Sequence, residues 1–230
     1  MRLVHAIWAD MRFQLKQGFY YVYVTLTIMY LIILSFLPAE VLPVVTPIVV
    51  FSDPSILGLF FIGGIIMLEK LQGVMMVMVV TPLRSEEYIL SKVISLAVIA
   101  VLVGVAITAF SRNQGINWFV LVLSIVLTSG LFTLCGIMIS AGCHTVNQYM
   151  VKSIPYMILF TLPCLALIGF PYSWLFTVFP SVAALKLMMG AFTGMYAIET
   201  VALVIYLAGL NWLFYRFTIR VFESKIVYQD

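Results

Sequence analysis

Long apolar runs separated by short polar breaks dominate the chain. Residues 19–37 carry no charge, and runs at 54–70, 88–110, 117–140, 149–170 and 195–216 follow, interrupted by SRNQG at 111–115 and HTVNQ at 144–148. About 20 mostly apolar residues cross roughly 30 Å of hydrocarbon as a helix. The pattern therefore predicts six transmembrane helices. The run at Pro54 is short for a crossing and needs local thinning or a continuation past Glu69. Residues 1–17 read differently. Leu3, Val4, Ile7, Trp8, Met11 and Leu15 fall on one helical face, and Arg2, Asp10, Arg12, Gln14 and Lys16 occupy much of the other. That is an amphipathic helix lying on the cytoplasmic leaflet, either as a plain anchor or as a grip for a partner.

Proline and glycine punctuate the rest. Pro38, Pro43 and Pro47 are expected to exclude regular helix from an outer loop at 38–53,. Ser52-Asp53-Pro54 reads as a helix start with an acidic cap, and Thr81-Pro82, followed by Glu86 and Glu87, as a second start on the inner side,. Between Phe170 and Met195 the chain is apolar but broken by Pro171, Pro180, Gly190 and Gly194. Two short helices dipping into the outer half and returning fit there better than a seventh crossing, forming a re-entrant hairpin that caps or gates the outer side. Gly190-x-x-x-Gly194 offers a weak close-packing signal. No internal repeat or appended soluble domain interrupts this single membrane domain, and no cleavable signal pattern precedes the first run.

Composition supports a lipid environment. Hydrophobic residues make up 64% of the 230-residue chain and charged ones 9%, with a mean hydropathy of +1.16. So much apolar surface cannot be hidden inside a globule of this size. Charge then sets orientation. With six spans, Arg2, Arg12, Lys16, Lys70, Arg84, Lys92, Lys152, Arg216, Arg220 and Lys225 fall on one side, and only Arg112 and Lys186 on the other. Both termini are accordingly expected in the cytoplasm, with Glu40, Asp53 and Glu199 outside. The net charge of +3 reflects this topology, and nucleic-acid binding is not expected. Cys135, Cys143 and Cys164 are read as buried small apolar residues rather than a disulfide or metal framework.

Recognisable catalytic motifs are absent: there is no Walker A loop, H-E-x-x-H, G-x-S-x-G or C-x-x-C,. No carboxylate falls unambiguously at the centre of a span, which argues against an ion-coupled carrier. Glu69, beside Lys70, is placed at the inner interface rather than at mid-membrane. The most polar stretch is 69–92, EKLQGVMMVMVVTPLRSEEYILSK. Leu68, Leu71, Met75 and Met78 recur at helical spacing there, either as an adaptable docking ridge or as an ordinary helix end. Gly73 permits a bend. A membrane domain without an engine of its own, carrying a polar cytoplasmic loop at 69–87, suggests a transport subunit driven by a separate protein.

E-K-x-x-G at 69–73, T-P-L-R at 81–84 and E-x-x-x-x-K from Glu87 to Lys92 resemble the loop signature of ABC-2 type transporter permeases. Phe51-Ser52-Asp53-Pro54 followed by Phe60-Phe61-Ile62-Gly63-Gly64 resembles that family's approach to its second span. Length, span number, N-terminal helix and outer hairpin fit along most of the chain, which looks most like the small bacterial drug-export permeases, including fluoroquinolone exporters. The resemblance implies an all-α half-transporter in the bacterial plasma membrane. Two permeases, identical or related, would pair side by side above two ABC ATP-binding subunits. It further implies that Glu69, Gln72, Gly73, Thr81, Pro82, Leu83 and Arg84 form or brace the ATPase-docking element. ATP and magnesium would sit on the partner, with no cofactor or catalytic residue on this chain. The apolar spans suit an amphipathic or hydrophobic cargo (a drug, lipid or short peptide), with Phe60, Phe61, Met157 and Phe160 as weak candidates for its path. Gly63-Gly64, Pro155 and Pro163 are flex points or packing kinks. A non-transporting scaffold or immunity protein of the same fold is the competing reading.

Overall fold

The computed structural model describes residues 2–53, 57–74, 84–111, 115–164 and 178–224. Among these there are nine α-helices and no strand: α1 (Arg2–Lys16), α2 (Phe19–Ser35), α3 (Leu42–Ser52), α4 (Gly58–Leu71), α5 (Ser85–Phe110), α6 (Trp118–Ala141), α7 (Val146–Thr161), α8 (Pro180–Thr193) and α9 (Ala197–Phe222). Three of them, α5, α6 and α9, are long and apolar enough to cross a membrane alone. The pair α1 and α2, bent by 69°, passes the same test if taken together. The bend falls at Gly18, whose φ of 83° is left-handed and open to glycine without strain,. The helices α4, α7 and α8, with 14, 16 and 14 residues, are shorter than an independent crossing requires,.

Helix α6 is the axis of the bundle, packing against α4, α5, α8 and α9. Small residues let its neighbours approach. A Cβ on Gly136 would lie 2.2 Å from Ile62 Cγ2, and one on Gly63 would lie 1.9 Å from the ring of Tyr149, whose hydroxyl donates to Leu59 O at 2.5 Å. Gly63 is therefore a packing position, where the α7 ring lies flat against α4. On the opposite flank Asn211 Nδ2 donates to Leu127 O at 3.0 Å, tying α9 to α6. The C-terminal carbonyls of α6, which lack intrahelical partners, are satisfied by lysines. Lys70 Nζ donates to Ser140 O and Cys143 O at 3.0 and 2.9 Å, and Lys152 Nζ to Gly142 O at 2.9 Å.

Several expectations need correction. The proline-rich segment 38–53 is helical over Leu42–Ser52. Pro43 sits in the first turn, where its missing N–H is no loss, and Pro47 forfeits only one bond in a short helix packed on α8,. Asp53 is the C-cap of α3 and 1% exposed, rather than an outward-facing cap at the start of a helix. In the N-terminal helix two of the polar residues, Asp10 and Gln14, are buried, while Arg2, Arg12 and Lys16 are exposed together with Val4, Trp8 and Leu15. Helix α8, which lies in the segment expected to form the outer hairpin, is buried along most of its length and is pinned by Asn117 N–H to Ala191 O at 2.9 Å. The other short helix was expected after Phe170, where residues 171–177 lie outside the described residues. Gly194 is the C-cap of α8 at φ 78°, and Gly190 makes room for Met195, so these two glycines end a helix instead of forming a packing stripe. All three cysteines are buried and free.

Candidate functional site: a buried charge cluster joining the N-terminal helix to the 69–92 region

Tyr88, Ser91, Lys92 and Ser95 recur at spacings of three and four residues, so they share one face of α5,. Helix α1 packs on that face, and α4 also contacts α5. Lys92, fully buried, reaches both Asp10 of α1 and Glu69 of α4 through Nζ. The second oxygens of both acids are also satisfied. Tyr88 OH donates to Glu69 Oε2 at 2.5 Å, and Ser91 Oγ to Asp10 Oδ2 at 2.6 Å. One turn further on, Gln14 Nε2 donates to Ser95 Oγ at 2.9 Å. With both acids and the lysine ionised, the cluster carries a formal charge of −1. Burying such charges is tolerable only with this completeness of pairing, because removing any partner strands a desolvated charge.

The inward turn of two polar residues of the N-terminal helix follows from this cluster. Asp10 and Gln14 face inward because they have partners there, and the outer face keeps Val4, Trp8 and Leu15 among His5, Arg12 and Lys16. Arg12 stacks over Trp8 at 3.4 Å from the ring centroid. An apolar and basic outer face of this kind suits an anionic membrane surface.

Glu69, expected beside Lys70, is buried and points to Lys92, while Lys70 turns to the end of α6. Adjacent helical residues diverge by about 100°, so they do not face each other. Gln72 is exposed, Gly73 adopts a left-handed φ of 71°, and Arg84 is exposed at the N-cap of α5. The Arg84 N–H donates to Glu87 Oε2 at 3.1 Å, which anchors the start of that helix,. Thr81, Pro82 and Leu83 lie outside the described residues, as do Met75 and Met78. The cluster thus fixes the near side of the loop through Glu69 and its far side through Tyr88 and Lys92, and holds both to α1. Sequence reading missed Asp10, Tyr88, Ser91 and Lys92 as one unit. A signal existed in Asp10, the only acid in the first 39 residues, and in Lys92, the last cation before an uncharged run to Phe110.

The weak cargo-path candidates fall in separate places. Phe61 packs edge-on against Phe19 and Tyr23 of α2, with ring centroids at 5.4 and 4.7 Å. Phe160 meets Phe132 at 5.6 Å and lines a groove of about 450 Å³ with Cys135, Met138, Phe214 and Phe217. Phe60 and Met157 are half-buried.

Comparison with known proteins bears on what this arrangement serves. A sequence model described as the Fluoroquinolones export permease protein family matches residues 1–229. Two fluoroquinolones export permease proteins of Mycobacterium tuberculosis, from strains CDC 1551 / Oshkosh and ATCC 25618 / H37Rv, are each 31% identical over 153 residues. Those residues are 66% of this chain and 65% of each relative, so the match spans just under two thirds of the relatives' length.

Proposed function

Because the chain belongs to the fluoroquinolones export permease family, we propose that it is the membrane-spanning subunit of an ATP-driven exporter. It works with a separate ABC ATP-binding subunit and a second permease, identical or related, in the bacterial plasma membrane. Both termini face the cytoplasm, the segments beyond the three long helices complete a six-span path, and ATP and magnesium bind on the partner. Its cargo is an amphipathic or hydrophobic small molecule.

The observation that carries this reading is the Asp10–Lys92–Glu69 cluster. A displacement applied at the loop between α4 and α5 reaches α1 and both flanking helices together, since the joint between them is paired on every side. An ATPase seated against Gln72, Gly73 and Arg84, together with residues 81–83, would therefore move three helices as a lever. Glu69 braces this surface from inside, and its burial excludes it from direct docking.

The test is co-purification from native membranes in mild detergent, comparing wild type with Arg84→Glu and Gln72→Arg. Both positions are exposed, so the folded permease is expected to be retained. The wild type should carry an ATPase at about one copy per permease, with ATP-dependent export, and the variants should lose both. A permease that never recruits an ATPase, even after crosslinking, would be a non-transporting scaffold instead.

A further inference from the structure

The most conspicuous buried group outside the cluster is Asp53. Helix α3 starts at the level of the outer helix ends, where Leu42 shares a groove with Leu34, Phe110 and Ser111. Its 11 residues are about 16 Å long,, which is the most that it can descend into a hydrocarbon layer of roughly 30 Å. Side-chain contacts agree with that depth. Phe51 packs edge-on against Phe132, in the middle of α6, with centroids at 6.2 Å, and Val50 lies against Gly104 of α5. Asp53 follows immediately, 1% exposed, with neither carboxylate oxygen hydrogen-bonded among the described residues. Every other acid buried among the described residues, Asp10 and Glu69, is fully paired.

An orphaned carboxyl at this depth is expensive, and acids placed there mark functional sites. Its surroundings suggest what would complete it. Helix α2 packs on α3 and carries Tyr23, which is also buried. The ring of Tyr23 continues through Phe61 to Phe19, and the Tyr20 hydroxyl, one turn away, is buried without a partner. A hard metal ion would need six or more oxygen ligands, and no grouping of three acid, histidine or cysteine side chains exists among the described residues. A single carboxylate on a helix packed against the aromatic-rich α2 instead matches an organic ammonium group, which a carboxylate neutralises and aromatic rings attract,.

We infer that Asp53 is the counter-ion for a cationic amine on the cargo, so the transported class is amphipathic organic cations. This deepens the export reading and rests on it. The experiment uses the full-length permease in nanodiscs, titrated into dansylcadaverine, a fluorescent primary amine, and into its uncharged N-acetyl derivative, with anisotropy as the readout. The wild type should prefer the amine by about tenfold or more, and Asp53→Asn should erase that preference by weakening amine binding to the level of the neutral probe. Asp53→Asn should also melt no lower than wild type, because it removes an unpaired buried acid. Equal binding of the two probes by the wild type, or an undiminished preference in Asp53→Asn, overturns the assignment. The probe-pair comparison on the wild type stands even if the variant fails to fold. ATP-dependent uptake into inside-out vesicles containing the ATPase separates the two proposals. Amine preference without uptake sinks the export reading alone, whereas uptake of both probes without preference sinks the Asp53 site alone.

Discussion

Replacing Lys92 with methionine should be the most damaging single substitution in the cluster. Lys92 is fully buried and is the shared cation of Asp10 and Glu69. Methionine keeps most of the stem but leaves two desolvated carboxylates facing one another. Breaking a buried pair by removing one partner costs about 3–5 kcal/mol. For a chain of this size that corresponds to a fall of about 6–20 °C in melting midpoint. Glu69→Gln should be much milder, because it leaves a one-to-one Asp10–Lys92 pair and a side-chain oxygen able to accept from Tyr88. The triple variant Asp10→Asn, Glu69→Gln, Lys92→Met removes every charge, and should recover to near the wild-type midpoint or above it. The assay is thermal melting of the purified permease in one detergent, followed by tryptophan fluorescence and by size-exclusion recovery after heating. A Lys92→Met midpoint equal to wild type would refute the charge argument. A triple variant as unstable as Lys92→Met would assign the loss to packing of the lysine stem instead.

Three further outcomes follow from the packing. Gly63→Ala should destabilise by about 1–3 kcal/mol, because the new methyl would overlap the Tyr149 ring,; Tyr149→Ala in the same chain should relieve part of the overlap, and non-additive melting shifts would show it. Asn211→Leu should cost about 0.6–1.7 kcal/mol, the range for a membrane interhelical hydrogen bond, by removing the donor to Leu127 O,; a steric-trap or denaturant titration measures this, and no change would mean that the bond is replaced by packing. Cys135, Cys143 and Cys164 should resist a maleimide in the native protein and react fully in SDS,; rapid native labelling of any of them would contradict its burial.

Much of the organisation was legible along the chain. The α5, α6 and α9 crossings start or end within a few residues of the runs 88–110, 117–140 and 195–216. The early acids of α5 and the separation of residues 1–17 from the run at 19–37 were also readable from local rules. Residues 38–53 were misread because proline was weighed as a breaker without regard to where in a turn it falls. Asp53 was misplaced with them, since a Ser-Asp-Pro string looks the same at a surface cap as at the buried end of a helix. The amphipathic character of α1 was identified, but Asp10 and Gln14 were grouped with its exposed polar residues, because the usual rule sends polar side chains to water. Here they meet Lys92 and Ser95.

Sequence alone determined that this chain lives in lipid, where its long helices cross, and which family it belongs to. Those properties sum over a window of neighbouring residues, and transfer into hydrocarbon depends on the total rather than on what each side chain touches. Only tertiary structure decided that Lys92 pairs with acids 82 and 23 residues away, rather than Glu69 with its neighbour Lys70. The same packing left Asp53 buried with no partner. Pairing of charges inside a membrane depends on which helix faces meet, and three segments must pack before any of those faces exists.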